Sequence, residues 1–198
     1  MRRGPFDTGV YDLIAKAVAS QLNASFEYTR KLKHKLALTQ DYKILDETAH
    51  IDYLTGLKNH RGFLELGDTS LKYAQAMGQN GLLLYFNIKN LRKVNDYFGH
   101  SAGDEVIKAV AQFLQKHFRS NDIIARLDGD KFGVISAGLN VDNYKKVLFN
   151  VSEECRKWKE SNNYPIDIEV SAGFAMFPSQ KYGYTLQPLL EKAESSVK

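Results

Sequence analysis

The stretch Gly81-Leu-Leu-Leu-Tyr-Phe-Asn-Ile88 constrains this chain more than any other. It is of strand length and is apolar at consecutive rather than alternate positions, the pattern of a central strand. The rest of the chain must therefore supply strands and helices around it. After Asp52 it does so, in alternation. Phe63–Met77 reads as a helix. Ser101–Phe118 is amphipathic, with Ile107, Val110, Ala111, Leu114 and Phe118 at helical spacing. Ser101 is the expected N-cap of that helix, with Asp104 three residues on. Asp122–Leu127 and Phe132–Ser136 read as short strands around Asp128-Gly129, a hairpin signal whose two turn positions both require positive φ. Val141–Ser161 reads as a helix, Ile166–Phe177 as a strand or hairpin arm, and Leu186–Val197 as a last helix. Strands alternating with helices, plus one hairpin, predict an α/β fold with a mixed central sheet flanked by helices.

Ahead of this domain, residues from Asp7 to Ala49 contain no Pro and a single Gly, so a long N-terminal helix is expected. Val10, Ala17, Ala24, Leu38 and Leu45 fall on a seven-residue series that Lys31 interrupts, and Ile14, Tyr28 and Tyr42 fall on a neighbouring row. This is a weak heptad seam. A helix packed on its own domain and a helix that pairs with a second copy both fit it. The expected organisation is a helical linker or coiled coil over residues 1–50 and one domain over residues 51–198.

No apolar run approaches the roughly 20 residues of a membrane span, and the N-terminus lacks the apolar core of a signal peptide. Cys155 is the only cysteine, which excludes an internal disulfide. These features suit a cytoplasmic protein with no membrane contact. The net charge of +4 suits an anionic ligand. The one dense basic run, Arg30-Lys-Leu-Lys-His-Lys35, spreads around a helix and has no aromatic stacking residues interleaved, so nucleic acid is not an expected partner.

Four segments carry a family resemblance. Asp52-Tyr-Leu-Thr-Gly-Leu-Lys-Asn-His-Arg61 resembles the D-x-L-T-G-L-x-N-R-R segment that opens GGDEF domains. Asn87-Ile-Lys-Asn-Leu-Arg-Lys-Val-Asn95-Asp96-Tyr-Phe-Gly99-His100-Ser-Ala-Gly103-Asp104 resembles their D-x-D-x-F-K-x-x-N-D-x-x-G-H-x-x-G-D segment. Arg126-Leu-Asp128-Gly129-Asp130-Lys131-Phe132 stands where R-x-G-G-D/E-E-F belongs, and Val170-Ser-Ala-Gly-Phe-Ala175 is similar to the S-x-G-x-A strand. The chain is thus identified as a degenerate member of the GGDEF, or diguanylate cyclase, family, with the nucleotidyl-cyclase-like fold. The resemblance implies a chemistry in which two domains face each other, each holding GTP. Each 3′-hydroxyl attacks the other's α-phosphate to give cyclic di-GMP, with two metal ions stabilising the charge.

The residues present alter that chemistry. Asn87 replaces the Asp that holds metal at the end of the first strand. An amide oxygen ligates weakly and brings no charge. In the hairpin motif Asp128 replaces the first Gly, Gly129 and Asp130 are kept in kind, and Lys131 replaces the Glu. Asp130 is left as a weak metal ligand, and Mg²⁺ binding is weakened with it. Set against the family pattern, the site is about two charge units more positive. A loss of about 4 kcal/mol of transition-state stabilisation would slow turnover about a thousandfold. No catalytic residue is therefore expected. Asp128 reads as a turn residue, or as a side chain intruding where backbone would approach phosphate. Lys131 reads as a solvent-facing strand residue, or as an ammonium meeting the phosphates.

Guanine reading is better preserved. By the resemblance, Asn95 and Asp104 contact the base and Arg92 stands at a phosphate-contacting Lys position. The alternatives are a helix cap for Asn95 and helix-start stabilisation for Asp104. Arg119-Ser-Asn-Asp122 falls where active cyclases carry R-x-x-D, the inhibitory cyclic di-GMP site. The alternative is an Arg at a helix C-terminus followed by an Asp entering a strand. The C-terminal Ala193-Glu-Ser-Ser-Val-Lys198 resembles the start of the family's A-D-x-A-L-Y-x-A-K helix and then stops. The chain is expected to end early or to be part of a longer protein, with a domain such as an EAL phosphodiesterase as one neighbour. Three functions stay open: a sensor of cyclic di-GMP or GTP, a slow cyclase, and a dimerisation module that binds no nucleotide.

Overall fold

A computed structural model describes residues 8–197, without the side chains at 8–11, 24 and 36–48. The chain divides into two units, Met1–Thr48 and Ala49–Lys198.

The first unit contains α1 (Thr8–Thr48), a helix of 41 residues. Val10, Ala24, Leu38, Tyr42 and Leu45 of the expected seam lie outside the described side chains. Ile14, Ala17 and Tyr28 are exposed. The larger exposed apolar side chains include Ile14, Val18, Leu22 and Phe26. They are spaced by four, and Tyr28 of the expected neighbouring row is exposed with them. No helix among the described residues is long and apolar enough to cross a membrane.

The second unit is built on β1 (Gly81–Lys89), whose first six residues are all buried. The other elements are α2 (His60–Ala76), α3 (Leu91–Phe98), α4 (His100–His117), β2 (Ile123–Asp128), β3 (Lys131–Ala137), α5 (Val141–Ser161), β4 (Glu169–Phe177) and α6 (Leu186–Ser195). The sheet order is β2-β3-β1-β4. All three pairings are antiparallel. The sheet expected to be mixed has its only parallel element, among the described residues, in the isolated Lys58–Ala125 bridge. The reason is topological. β1 connects through helices to β2, and β3 through a helix to β4, but each pair of parallel strands is split by a strand of the other pair.

Alternate residues of β1 enter two cores. Leu82, Leu84, Phe86 and Ile88 pack with Val106, Val110 and Leu114 of α4 and with Val151 and Cys155 of α5. Leu83 and Tyr85 pack with Phe63 and Leu71 of α2 and with Leu189, Leu190 and Ala193 of α6. Two helix starts, those of α2 and α4, differ from expectation, and that of α5 agrees. α2 begins three residues early because the Asn59 side chain accepts from Gly62 N (2.9 Å). Ser101 is not the N-cap of α4. That helix starts at His100, after Gly99 at φ 83°, with no side-chain cap. Asn140 caps α5 by accepting from Asn143 N (2.8 Å).

Cys155 is 1% exposed within the first of these cores. Burial, aided by the Glu154 charge, pushes its thiol up to about 12. At pH 8 its thiolate population is about a thousandfold below that of a free cysteine of ordinary pKa. Alkylation by iodoacetamide is expected to be undetectable in the folded protein and rapid in denaturant. Comparable rates in the two conditions, followed by mass spectrometry, would show that this core opens readily.

Candidate functional site

The end of β1 sets the site. Asn87 follows Leu83 and Tyr85 on the α2 and α6 face, and in register it lies between Lys131 of β3 and Ser171 of β4. Cross-strand partners on one face are neighbours, so an amide, an ammonium and a hydroxyl share one row. Asn87 Oδ1 is buried without a hydrogen-bond partner. Ser171 Oγ donates to the Asn87 backbone oxygen at 3.4 Å.

The β2–β3 hairpin reaches over this row. Its paired ends are Asp128 and Lys131, with a register shift between Arg126 and Asp128. The two loop residues are therefore Gly129 and Asp130, not Asp128 and Gly129 as the sequence pattern suggests. Only Gly129 of these has positive φ, at 28°. The shift at Leu127 moves the turn one residue along and frees Asp128 to remain in the strand. Asp130 O accepts from Ile88 N (3.0 Å), which ties the turn to the end of β1.

A second tie holds the base of the hairpin. Arg126 Nε donates to Gly129 O (2.9 Å), and its guanidinium meets Asp52 Oδ1 at 3.3 Å. Asp52 Oδ2 also accepts from Thr55 N (2.9 Å) and Thr55 Oγ1 (2.7 Å). Both Asp52 and Arg126 side chains are 14% exposed. The Asp52 and Arg126 motifs, far apart in sequence, thus form one scaffold. Lys58 adds to it through Arg126 N, which donates to Lys58 O (2.8 Å).

Two residues that sequence reasoning missed complete the row. Tyr85 donates its hydroxyl to Glu194 Oε1 of α6 at 2.8 Å, and Lys131 Nζ lies 3.9 Å from the same oxygen. Burial, then the Glu194 contact and the charges of Asp130 and Asp128, raise the Tyr85 hydroxyl pKa well above its ordinary value. Tyr85 carried a signal as the polar-tipped residue of an apolar run. Glu194 was legible only as part of the C-terminal segment. His60, Asp128, Gln187, Glu191 and Glu194 line a cleft of about 490 Å³ beside Tyr85 and Lys131.

These residues do not fit a divalent ion. The strand-end ligand is a neutral amide, and an ammonium stands in its row. Among the described residues no three His, Cys, Asp or Glu side chains gather as a metal-holding group.

Asn95 and Asp104 come from adjacent helices joined at Gly99. Asn95 lies within α3, so it is not a helix cap. Its Oδ1 is buried without a partner. It sits against Gly103, where a Cβ would fall 1.9 Å from that oxygen. Asp104 is exposed on α4. Arg92 is 94% exposed and lies 3.9 Å from Asp96.

Arg119 and Asp122 lie beyond α4 in a turn of their own. Asp122 Oδ2 accepts from Arg119 N (2.8 Å), and Asp122 N donates to Arg119 O (3.0 Å). With Gly56, Lys58, Leu66 and Gln115 they line a groove of about 520 Å³. The Arg119 side chain is exposed.

The family described as "Diguanylate cyclase, GGDEF domain" matches residues 49–198. The chain is 25% identical over 156 residues to the probable diguanylate cyclase DgcT of Escherichia coli (strain K12), covering 78% of this chain and 34% of that protein. It is 28% identical over 152 residues to the cyclic di-GMP phosphodiesterase NbdA of Pseudomonas aeruginosa, covering 75% of this chain and 19% of NbdA. The chain therefore spans about a third or less of these relatives. Among solved structures, the GGDEF domain of DgcB from Caulobacter crescentus in complex with c-di-GMP matches with a TM-score of 0.62 and 25% identity, over 74% of this chain and 86% of that one. A structure of the coiled coil and GGDEF domain of DgcB matches in fold with a TM-score of 0.64 and 22% identity, over 90% and 91% of the two chains.

Asp52→Ala is expected to destabilise the domain by about 2–4 kcal/mol, since it strands the largely buried Arg126 guanidinium. Urea denaturation measures this. A loss below about 0.5 kcal/mol would assign the pair the small value of a surface ion pair.

Proposed function

The chain belongs to the GGDEF diguanylate cyclase domain family, and from that premise we propose that it senses a guanine nucleotide without synthesising cyclic di-GMP. One observation carries the reading: the strand-end row holds Asn87 and Lys131 where metal-assisted phosphoryl chemistry needs carboxylates. In this reading the chain has no catalytic residue and at most a weak Mg²⁺ ligand in Asp130.

The ligand is cyclic di-GMP at Arg119 and Asp122, or GTP read by Asn95 and Asp104 with Arg92 near its phosphates. Arg119 is free to offer a bidentate contact to guanine O6 and N7. The groove beside it has the size of a small-molecule site. The orphaned Oδ1 of Asn95 supports a base contact as well, because buried polar atoms ordinarily have partners. A structure of DgcB holds c-di-GMP, which favours cyclic di-GMP here by likeness. The long helix α1 would pair two copies and pass the signal along itself. The protein would work in the cytoplasm, beside a further signalling domain such as an EAL phosphodiesterase.

The rival reading is a slow cyclase. Asp130 and the unpartnered Asn87 Oδ1 are the features that favour it. Incubation with GTP and Mg²⁺ or Mn²⁺ is expected to yield negligible cyclic di-GMP. Turnover near one per second, an ordinary enzymatic rate, would establish a cyclase instead.

Calorimetry distinguishes the ligands. Arg119→Ala is expected to weaken cyclic di-GMP binding by about 1–3 kcal/mol, the scale of one bidentate base contact, while Asn87→Ala leaves it nearly unchanged. Equal losses in both variants, or no binding by the parent at ligand concentrations of about 100 μM, a Kd range typical of weak ligands, would reduce the R-x-x-D likeness to a turn.

A further inference from the structure

We infer that Lys58 is a further ligand-binding residue of the groove beside Arg119 and Asp122, its ammonium meeting a phosphodiester of the nucleotide whose guanine edge those two residues read. That role rests on the sensor reading above, and it answers what that reading leaves unmatched, the negative charge of the ligand.

The lining of the groove sets its charge. Its charged side chains are Lys58, Arg119 and Asp122, two cations against one carboxylate. One oxygen of that carboxylate already accepts from Arg119 N (2.8 Å), which closes the turn. Neither cation has an ion-pair partner among the described residues. The groove is therefore left net positive, which favours an anionic ligand. A cyclic dinucleotide of guanine carries two phosphodiesters, each with one negative charge. A guanidinium in bidentate contact with guanine O6 and N7 commits its planar fork to the base. The neighbouring phosphodiester then falls to the other cation. An ammonium suits that role, since it meets phosphate as a point charge without a planar demand.

The fold decides where Lys58 stands. It bridges in parallel to Ala125 of β2. Lys58 N donates to Ile124 O (3.3 Å), and Lys58 O accepts from Arg126 N (2.8 Å). Asp122 lies three residues before Ala125, no more than about 11 Å along the chain. Lys58 is thus anchored on the far side of the groove from the guanine-reading turn, at a spacing that its four-carbon stem and a nucleotide together span. Leu66 of α2, 41% exposed, adds an apolar wall on which a base or ribose face can pack. The bonds at the edge of β2 use only the backbone of Lys58, so its side chain can be exchanged without loosening that edge.

Calorimetric titration of cyclic di-GMP into the full chain and its variants tests this. Lys58→Met is expected to raise Kd roughly 5–20-fold, the scale of one charge-assisted contact at a partly exposed site. Lys58→Arg keeps the charge and is expected to stay within about threefold of the parent. Raising NaCl from about 50 to about 500 mM should weaken binding by the parent, because the contact is screened, and should weaken binding by Lys58→Met less. Lys108→Met removes one charge at an exposed position of α4 outside the groove and should match the parent. The circular dichroism of each variant should match the parent's; if that of Lys58→Met does not, Lys58→Gln carries the same expectation. Affinity and salt dependence unchanged in Lys58→Met, or a loss no larger than that of Lys108→Met, while Arg119→Ala weakens binding, would overturn the inference and leave the sensor reading standing. No binding by the parent, or no loss in Arg119→Ala, would overturn both.

Discussion

The fold depends on β1 being satisfied from four directions at once. Its side chains enter two cores, and both of its edges are hydrogen-bonded, to β3 and to β4. A buried backbone group without a partner is costly, so both ladders must form in a single register. A slip by one residue would turn Leu82, Leu84 and Phe86 out of one core and into the other. The same register decides the chemistry, because it puts Asn87, Lys131 and Ser171 in one row. Packing and site are therefore two consequences of one alignment.

The outer edges are protected by other means. Lys58 and its neighbours cover β2. On β4, the Tyr144 hydroxyl donates to Ala172 O (3.2 Å), and Ser196 Oγ accepts from Phe174 N (2.9 Å). Side chains thus occupy backbone groups that would otherwise offer a template for another strand. The close seating of α6 requires Gly173, where a Cβ would fall 2.1 Å from Ala193 O. That contact places Glu194 over the row, so a glycine in the strand sets the position of a carboxylate in the helix.

Scaffold and strand-end row are built from different residues in this chain. The Asp52–Arg126–Gly129 linkage holds the hairpin against the end of β1. The strand-end row below it carries an amide, an ammonium and a hydroxyl. The scaffold's contacts are directed hydrogen bonds among groups brought together by the fold, and they hold whichever side chains stand on the row.

The sequence by itself determined the central strand, the run of helices and strands around it, and the identity of the altered positions. These rest on apolar periodicity and local spacing, which each segment carries in its own residues. Motif spacing also singled out Asn95, Asp104, Arg119 and Asp122 as candidates. The sequence placed the N-cap of α4 and the hairpin turn wrongly, since Gly99 and the register shift at Leu127 outweighed the local preferences of Ser101 and Asp128-Gly129. Only the tertiary structure decided that no two strands of a β-α-β unit would be neighbours, that Asp52 and Arg126 would pair, and that Glu194 would meet Tyr85 and Lys131. Each of these joins residues dozens of positions apart, and a contact of that kind is set by the register of the sheet and the seating of α6, which no single segment encodes.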